Sequence, residues 1–253
     1  MELADKVIVI TGAGQGLGRA MAETLAAQGV KLALVDLNEA ALLESVRCCE
    51  NAGGEARPYL SDIADEQAVD ALFDRVIEDF GAVDALINNA GIIRDGLLVK
   101  TEDGHVVKKM SLEQWQSVLT VNLTGVFLCG REAAVRIIEG NHPGVIINMC
   151  SISRAGNIGQ SNYAAAKAGV AALTVTWSEE LARYGIRVAA IAPGFCDTPM
   201  VAGMPEKAQA RLKEMIPLGR LAAPAEIARS VLYVLQNDYF DGRVLEIDGG
   251  LRF

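Results

Sequence analysis

The sequence predicts an α/β fold in which a doubly wound parallel sheet of about seven strands carries helices on both faces. Two observations support this fold class. Short, continuously apolar runs recur along all 253 residues, as in strands that are buried on both faces of a parallel sheet. Helix-length segments with apolar residues at helical spacing separate these runs, which is typical of consecutive βαβ units.

The apolar runs and the amphipathic segments define the predicted elements. The predicted strands are 6–10, 31–35, 56–59, 85–88, 145–149, 187–191 and 244–247. The predicted helices are 18–28, 38–51, 66–79, 111–138, 161–184 and 224–235. Because no internal repeat or shift in composition divides the chain, we predict a single domain over residues 1–253.

Two longer segments interrupt the alternation. Residues 95–109 contain two glycines and several charges before the next helix, and residues 197–218 follow a Pro-Gly turn. Ligands of doubly wound sheets bind at the carboxyl ends of the strands, where such connections lie. We therefore expect both segments to be loops that cover a binding site.

Composition and charge exclude several classes of partner. The net charge of −9 argues against a nucleic-acid partner, because phosphate binding needs a basic surface. No uninterrupted apolar run approaches the roughly 20 residues of a membrane span, and the first residues lack the features of a signal peptide. The five cysteines show no metal-ligand spacing with the two histidines. We expect a cytoplasmic protein with reduced thiols, no metal and no membrane partner.

A glycine-rich turn follows the first predicted strand. Residues 11–18 read Thr-Gly-Ala-Gly-Gln-Gly-Leu-Gly and lead into a helix. Glycines there allow a tight turn and close approach of a pyrophosphate, while the helix N-terminus supplies N–H groups and a positive dipole end. The spacing differs from the common G-x-G-x-x-G, and a tight strand–helix connection would use glycines too. We predict a Rossmann-type dinucleotide site that includes Gly12, Gln15, Gly16, Leu17 and Gly18.

Asp36 directly follows the second predicted strand. A carboxylate at this point can accept hydrogen bonds from both ribose hydroxyls and repels a 2′-phosphate. Gln15 adds no positive charge near the ribose. These features favour NAD(H) over NADP(H). The alternative role of Asp36 is the N-cap of the next helix, a place that Asn38 could fill instead.

Tyr163 and Lys167 lie four residues apart on a predicted helix, so both side chains reach one ligand. A free phenol titrates near ~10, and a neighbouring ammonium stabilises the phenolate. The spacing therefore predicts an acid–base pair for proton transfer to or from a carbonyl oxygen. By itself the same spacing also occurs on ordinary exposed helices.

Six motifs occur in an order that resembles the short-chain dehydrogenase/reductase family, over essentially the whole chain. They are residues 11–18, residues 88–91, Asn122, Ser151, Tyr163 with Lys167, and Pro193 with Gly194. Within the family, the segments 91–96 and 159–169 are similar to 3-oxoacyl-[acyl-carrier-protein] reductases. The segment 242–250 is similar to these reductases and to 3-hydroxyacyl-CoA dehydrogenases.

The resemblance implies the roles of the catalytic residues. Tyr163 would exchange the proton with the reacting oxygen, and Lys167 would bind the nicotinamide ribose and lower the tyrosine pKa. Ser151 would hydrogen-bond the reacting oxygen. Asn122 would hold a water in a proton relay through Lys167.

The resemblance also implies a cofactor-binding set. Asp62 and Ile63 would flank the adenine, and Thr198 would meet the carboxamide of the nicotinamide. The cofactor would be lined further by Asn89, Ala90, Gly91, Pro193 and Gly194.

The position of the catalytic serine has rivals. Many family members carry it thirteen residues before the tyrosine, and Cys150 occupies that place here, whereas Ser151 lies twelve residues before Tyr163. Because a thiol is a weak hydrogen-bond donor, we favour Ser151, with a loop shortened by one residue. Ser153 is a third candidate.

The predicted activity is interconversion of a ketone and a secondary alcohol, with a 3-oxoacyl or 3-hydroxyacyl thioester as the favoured substrate. The thioester partner would be CoA or acyl carrier protein, with Arg94, Lys108 and Lys109 as cations that could receive it. Alternatives are a dehydrogenase of another secondary alcohol, such as a polyol, steroid or small hydroxy ketone, and a non-catalytic cofactor-binding regulator. The resemblance also implies a homotetramer built on the helices 111–138 and 161–184.

Overall fold

The structure of the protein, a computed structural model, describes residues 1–198, 201 and 206–251. Its strands are β1 (Val7–Thr11), β2 (Lys31–Asp36), β3 (Glu55–Leu60), β4 (Ala85–Asn88), β5 (Val99–Glu102), β6 (His105–Lys109), β7 (Gly144–Met149), β8 (Ile186–Pro193) and β9 (Val244–Ile247). Seven of them form a parallel sheet in the order β3-β2-β1-β4-β7-β8-β9. The predicted fold class is confirmed, and the predicted strands of this sheet agree with the observed bounds to within two residues.

The helices cover both faces of the sheet. They are α1 (Gly16–Ala26), α2 (Glu39–Asn51), α3 (Glu66–Phe80), α4 (Leu112–Leu119), α5 (Gly125–Glu139), α6 (Ser161–Leu181), α7 (Glu206–Met215) and α8 (Pro224–Gln236). Polar N-caps start several of them. Asn38 accepts from the Ala41 N–H at 3.0 Å, and Asp65 accepts from the N–H groups of Gln67 and Ala68. These side chains satisfy backbone donors that the first helical turn leaves open.

Alternate residues of β1 enter different halves of the core. Ile8 and Ile10 pack in the cluster that contains Met21 of α1 and Val231 of α8. Val7 and Val9 pack in the opposite cluster with α3 and α5. This two-residue period places one apolar layer on each face of the sheet.

The strand order reverses at β1, which pairs with β2 on one side and β4 on the other. The connections leave β1 and β4 in opposite directions, so a crevice opens at their carboxyl ends. This edge of the sheet is the expected position of a ligand site.

The helical stretch Leu112–Glu139 is long and apolar enough to cross a membrane by length and composition alone, which the search for uninterrupted apolar runs did not predict. It consists of α4, a π-helical turn over Thr120–Thr124, and α5. More than half of its most apolar window is buried inside the fold. Residues of α5 such as Ile137 pack in the core beside α3, which accounts for the apolar composition.

Residues 95–109 form an antiparallel hairpin of β5 and β6, so the prediction of a loop was wrong here. Asp103 and Gly104 make the turn with φ of 49° and 79°, as in two-residue turns with left-handed central residues. The Asp-Gly pair between two β-branched segments was the sequence signal for this hairpin. All strand residues of the hairpin are exposed. The hairpin therefore lacks the buried apolar runs from which the other strands were predicted.

Residues 197–218 also contain secondary structure, because α7 occupies Glu206–Met215. The expectation of a plain loop is therefore wrong for this part. Residues 199–200 and 202–205 of the segment lie outside the described residues.

Arg187 joins the start of β8 to the end of α8. Its guanidinium donates to the carbonyl oxygens of Val234 and Leu235 at 3.2 and 3.1 Å, and to that of Phe240 at 2.9 Å. Only 14% of its side chain is exposed, and this burial lowers the pKa of the arginine. These bonds satisfy carbonyl groups that the helix end leaves without intrahelical donors.

We expect Arg187→Met to lower the free energy of unfolding by about 2 kcal/mol or more, because it leaves partly buried carbonyl groups unpaired. Urea unfolding followed by circular dichroism measures this change. Arg183→Met, at an exposed position in the same part of the chain, is the control and should change stability by less than about 0.5 kcal/mol. Equal effects of the two substitutions would contradict the assigned role of Arg187.

Candidate active site

A cavity of about 460 Å³ lies at the carboxyl edge of the sheet, where the strand order reverses. Most residues predicted from the sequence line it. They are Gly12, Gln15, Gly16, Leu17, Asp36, Asp62, Ile63, Asn89, Ala90, Gly91, Ser151, Tyr163, Lys167, Pro193, Gly194 and Thr198. Two predicted residues, Gly18 and Asn122, lie behind the cavity wall.

The glycine loop begins at Gly12, whose φ of 65° lies in the left-handed region. A methyl group on Gly18 would overlap the carbonyl oxygen of Gly12. Gly18 therefore packs α1 against the loop, and the prediction that it lines the cofactor is corrected to this packing role.

The N-terminus of α1 faces the cavity through Gly16 and Leu17. In this part of the described chain, no side chain caps the helix and its first turn has no acidic residue. The first N–H groups and the positive end of the helix dipole are thus available to an anion. This cradle fits the pyrophosphate of a dinucleotide.

Asp36 is held at the end of β2 by two backbone donors. Its Oδ2 accepts from the Gly14 N–H at 2.9 Å, and its Oδ1 accepts from the Asn38 N–H at 3.1 Å. Asn38 caps α2, so the alternative N-cap role of Asp36 falls to Asn38. The carboxylate of Asp36 is left at the cavity wall in a fixed orientation.

Arg19 supports the glycine loop from behind, a role that the sequence analysis missed. Its Nη2 donates to the carbonyl oxygens of Gly14 at 2.6 Å and Ala41 at 3.3 Å, and its Nε donates to the buried hydroxyl of Ser45 at 3.0 Å. The position one residue after the glycine pattern carries no motif that would have revealed these bonds.

Thr11 and Asn89 join the carboxyl ends of β1 and β4. The Thr11 Oγ1 accepts from the N–H groups of Asn89 at 3.0 Å and Ala90 at 3.1 Å. The Asn89 Nδ2 donates in return to the carbonyl oxygens of Thr11 and Gly12, both at 3.0 Å. The glycine loop and the Asn89–Ala90 segment are thus held as one wall.

Ser151 and Tyr163 meet at the other end of the cavity. Burial raises the pKa of Tyr163 to about 12, and a side-chain hydrogen bond with Ser151 acts in the opposite direction. The Ser151 Oγ also accepts from the Ser153 N–H at 3.1 Å, which fixes the hydroxyl next to the phenol.

The Cys150 thiol points elsewhere. It donates to the carbonyl oxygen of Lys167 at 3.2 Å and packs in an apolar cluster with Val126 and Val170. Cys150 lines the cavity as well, but Ser151 is the candidate whose side chain lowers the pKa of Tyr163, whereas Cys150 raises it. The geometry favours Ser151 over Cys150.

Lys167 is buried below the tyrosine ring. Its Nζ donates to the carbonyl oxygen of Met149 at 2.6 Å and lies 5.7 Å from the centre of the Tyr163 ring. Burial lowers the pKa of Lys167 to about 8, because the protein interior disfavours the charged form. A buried lysine and a partly buried tyrosine whose pKa values shift in opposite directions are typical of a site for proton transfer.

Asn122 lies in the π-helical turn between α4 and α5. Its Oδ1 accepts from the Ile92 N–H at 2.8 Å, and its Nδ2 donates to the Ile92 carbonyl oxygen at 3.0 Å. The fully buried side chain thus holds the segment that follows Gly91. Its amide fixes the cavity wall from behind.

The remaining wall is largely apolar and was not predicted. It includes Ile92, Ile93, Ile152, Phe195, Cys196 and Val201, together with the polar side chain of Gln160. Several of these residues directly follow the recognised motifs, but a single sequence does not show which of them face the cavity. Within the described ranges, no group of His, Cys, Asp and Glu side chains is arranged to bind a metal.

Comparisons with known proteins agree with this geometry. The short chain dehydrogenase family matches residues 6–209. The chain is 39% identical to the 3-oxoacyl-[acyl-carrier-protein] reductase FabG of Thermotoga maritima, over 99% of both proteins. It is 38% identical to the (3R)-3-hydroxyacyl-CoA dehydrogenase of Rattus norvegicus, over 99% of this chain and 98% of the relative. It is 40% identical to the 3beta-hydroxysteroid dehydrogenase 1 of Eggerthella lenta, over 99% of this chain and 95% of the relative.

Solved structures match over nearly the whole chain. A short-chain type dehydrogenase/reductase from Mycobacterium marinum aligns with a TM-score of 0.91 and 30% identity, covering 98% of this chain and 96% of the other. Levodione reductase aligns with a TM-score of 0.88 and 36% identity, covering 98% of each chain. The protein belongs to the short-chain dehydrogenase family and is an NAD(P)-dependent oxidoreductase that acts on CH–OH groups.

We expect Thr11→Val to weaken cofactor binding and to lower the free energy of unfolding by roughly 2–4 kcal/mol, because two N–H groups at the strand ends lose their acceptor. Fluorescence titration with NADH and urea unfolding measure the two effects. Thr24→Val in α1 removes a helix-surface hydroxyl that donates to the Ala20 carbonyl oxygen and is the matched control. If Thr11→Val behaves like this control, Thr11 does not hold the two strand ends together.

Proposed function

We propose that this short-chain dehydrogenase uses NAD(H) to interconvert a 3-oxoacyl thioester and the corresponding 3-hydroxyacyl thioester. One observation carries the proposal. Ser151, Tyr163 and Lys167 converge at one end of a continuous cavity, and the carboxylate of Asp36 lies in the wall of the same cavity beside the glycine loop. The cavity therefore offers a proton-transfer centre and a ribose acceptor within a single binding site.

The residues present fit a dinucleotide. The α1 N-terminus at Gly16 would hold the pyrophosphate, and Asp36 would accept from the ribose hydroxyls. Asp62 and Ile63 would flank the adenine, and Thr198 would meet the nicotinamide carboxamide. When bound, the cofactor supplies or accepts the hydride, while the protein orients the reactants.

The proposed proton transfer follows from the environment of Tyr163. With a pKa of about 12, the phenol is protonated at neutral pH and is ready to donate its proton to a carbonyl oxygen. Ser151 would donate a hydrogen bond to the same oxygen as negative charge develops. The cationic form of Lys167 would stabilise the phenolate left on Tyr163. The reverse reaction uses the phenolate as the base for the alcohol proton.

Asp36 supports a preference for NAD(H). Its carboxylate is already oriented by the N–H groups of Gly14 and Asn38, and a 2′-phosphate at the ribose would meet this negative charge. The nearby cation Arg19 donates to protein carbonyl and hydroxyl groups behind the loop. The electrostatics of this end of the cavity favour the unphosphorylated ribose.

The substrate proposal has two supports. Relatives similar over the whole chain include a 3-oxoacyl-acyl-carrier reductase and a 3-hydroxyacyl-CoA dehydrogenase by name, and the apolar wall would accommodate an acyl chain. A second candidate is another cyclic or steroidal secondary alcohol. Relatives named as dehydrogenases of a hydroxysteroid and of a hydroxycyclohexanecarboxylate favour it.

The partners follow from the substrate proposal. CoA or acyl carrier protein would deliver the thioester, with the exposed lysines Lys108 and Lys109 of the hairpin as cations near its path. We further propose a cytoplasmic homotetramer that uses the long helices α4–α5 and α6. A non-catalytic regulator is disfavoured, because the side chains for proton transfer are all present and adjacent.

The assay that tests the proposal follows oxidation of NADH and NADPH with acetoacetyl-CoA and with a panel of cyclic, steroidal and small ketones. We expect turnover of acetoacetyl-CoA with NADH, with the highest kcat/KM of the panel. Faster turnover of a cyclic or steroidal ketone would favour the second candidate. Cofactor binding with no turnover on any ketone would contradict the enzymatic proposal.

Tyr163→Phe should lower kcat by about 10³-fold while NADH binding changes little, because general acid catalysis is lost and the ring remains. Stopped-flow or steady-state absorbance measures kcat, and a fluorescence titration measures NADH binding. Tyr184→Phe, at an exposed tyrosine, is the control. Substantial residual turnover in Tyr163→Phe would refute the assigned proton donor.

Asp36→Ala should weaken NADH binding by about tenfold or more, because charge-assisted hydrogen bonds to the ribose are lost. Binding of NADPH should tighten, since the repulsion of its 2′-phosphate disappears. The dissociation constant for NADPH divided by that for NADH should therefore fall. Glu39→Ala removes a nearby acidic residue from the first turn of α2 and controls for overall charge. An unchanged ratio in Asp36→Ala would remove Asp36 from the ribose site.

A further inference from the structure

Gln160 lies in the cavity wall three residues before Tyr163, and both ends of its amide are engaged. The Nε2 donates to the Asp95 Oδ2 at 3.0 Å. The Oε1 accepts from the Asn157 Nδ2, also at 3.0 Å. The side chain is therefore held from two sides at the substrate end of the cavity.

These partners determine which way the amide faces. A carboxylate only accepts hydrogen bonds, so the nitrogen of Gln160 must face Asp95. A primary amide has two N–H groups, and the bond to Asp95 uses one of them. The second N–H is a donor whose direction is set by the first.

The position of Asp95 is itself fixed by the base of the hairpin. The Gly96 N–H donates to the Gly159 carbonyl oxygen at 2.8 Å, and the Asn162 Nδ2 donates to the Arg94 carbonyl oxygen at 3.0 Å. Residues on both sides of Asp95 are thus bonded to residues on both sides of Gln160. Hydrogen bonds therefore join the segment before the hairpin to the loop before α6.

We propose that Gln160 donates its second N–H to a carbonyl of the substrate next to the reacting one, and that Asp95 is the positioning residue that orients this amide. The inference rests on the proposed function and names a residue that recognises the second carbonyl of a 3-oxoacyl thioester. One methylene carbon separates the two carbonyl carbons of a 3-oxoacyl thioester, and Gln160 and Tyr163 lie three residues apart in the same cavity wall.

The electrostatics of the pair support this role. Burial raises the pKa of Asp95, and its hydrogen bond with Gln160 acts in the opposite direction. The bond that the Gln160 Oε1 accepts from Asn157 polarises the amide and strengthens its N–H groups as donors, while the Asp95 carboxylate fixes their direction. Without Asp95, the amide could rotate and present its oxygen to the substrate carbonyl.

The test compares substrates with and without the second carbonyl. The first pair is the acetoacetyl thioester of N-acetylcysteamine and the methyl ketone of equal length. The second pair is acetylacetone and methyl propyl ketone. Gln160→Met keeps the length of the side chain and removes the amide. We expect it to lower kcat/KM for both dicarbonyl compounds by about tenfold or more, mainly through KM, and for the simple ketones by less than about threefold.

Asp95→Asn tests the positioning role, because an asparagine can accept or donate and no longer fixes the amide. We expect a smaller, selective loss with the dicarbonyl compounds and no further loss when it is combined with Gln160→Met. Glu102 is an exposed hairpin residue whose carboxylate pairs with Lys100. Glu102→Gln is the control and should leave kcat/KM unchanged for every substrate. Titration with NADH should give the same dissociation constant for all variants.

Three outcomes would contradict the inference in whole or in part. An equal loss on dicarbonyl and simple ketones would show that Gln160 only supports the loop, and no loss on either would show that it does not contact the substrate. Additive losses in the double variant would remove Asp95 from the orienting role. A wild-type enzyme that reduces acetylacetone and not the thioester contradicts the proposed substrate, while the diketone pair still decides the role of Gln160.

Discussion

At the carboxyl ends of β1 and β4, the side chains of Thr11 and Asn89 join two neighbouring strands through reciprocal hydrogen bonds. The rest of the site depends on this junction, since the glycine loop leaves from one strand and the Asn89–Ala90 segment from the other. Strand order reverses at the same place, so the chain connections diverge and leave a crevice. Asp36 and Asn122 then hold the two walls from outside and from below.

Desolvation gives the far end of the crevice its chemistry. The same apolar surroundings raise the pKa of Tyr163 and lower that of Lys167, because burial disfavours the phenolate and the ammonium alike. The phenol is therefore a proton donor at neutral pH, and the lysine keeps a charge that the Met149 carbonyl oxygen partly solvates. Ser151 completes the centre, because its side chain lies in the same cavity wall and lowers the pKa of the tyrosine.

The strands β1, β2, β4, β7 and β8 of the large sheet were predictable because each is a largely apolar run buried on both faces, which leaves a strong signal. The edge strands β3 and β9 are only partly buried. The hairpin β5–β6 was missed because its strand residues are all exposed, so burial imposed no pattern on them. The sequence signal for this hairpin was the Asp-Gly turn at Asp103 and Gly104. The apolar wall residues such as Ile152 and Phe195 were missed for another reason. Facing a cavity and facing the core demand the same apolar side chains.

The sequence by itself predicted the fold class from strand burial. It predicted the glycine loop and the Tyr163–Lys167 pair from six motifs that occur in order along the chain, and Asp36 from its position directly after the second predicted strand. Only the tertiary structure distinguished Ser151 from Cys150, which both follow β7: the Cys150 thiol bonds the Lys167 carbonyl oxygen, whereas the Ser151 side chain lowers the pKa of Tyr163. It also brought Asp95 to Gln160 across 65 residues of chain. Contacts between such distant segments arise from packing, which no short stretch of sequence specifies.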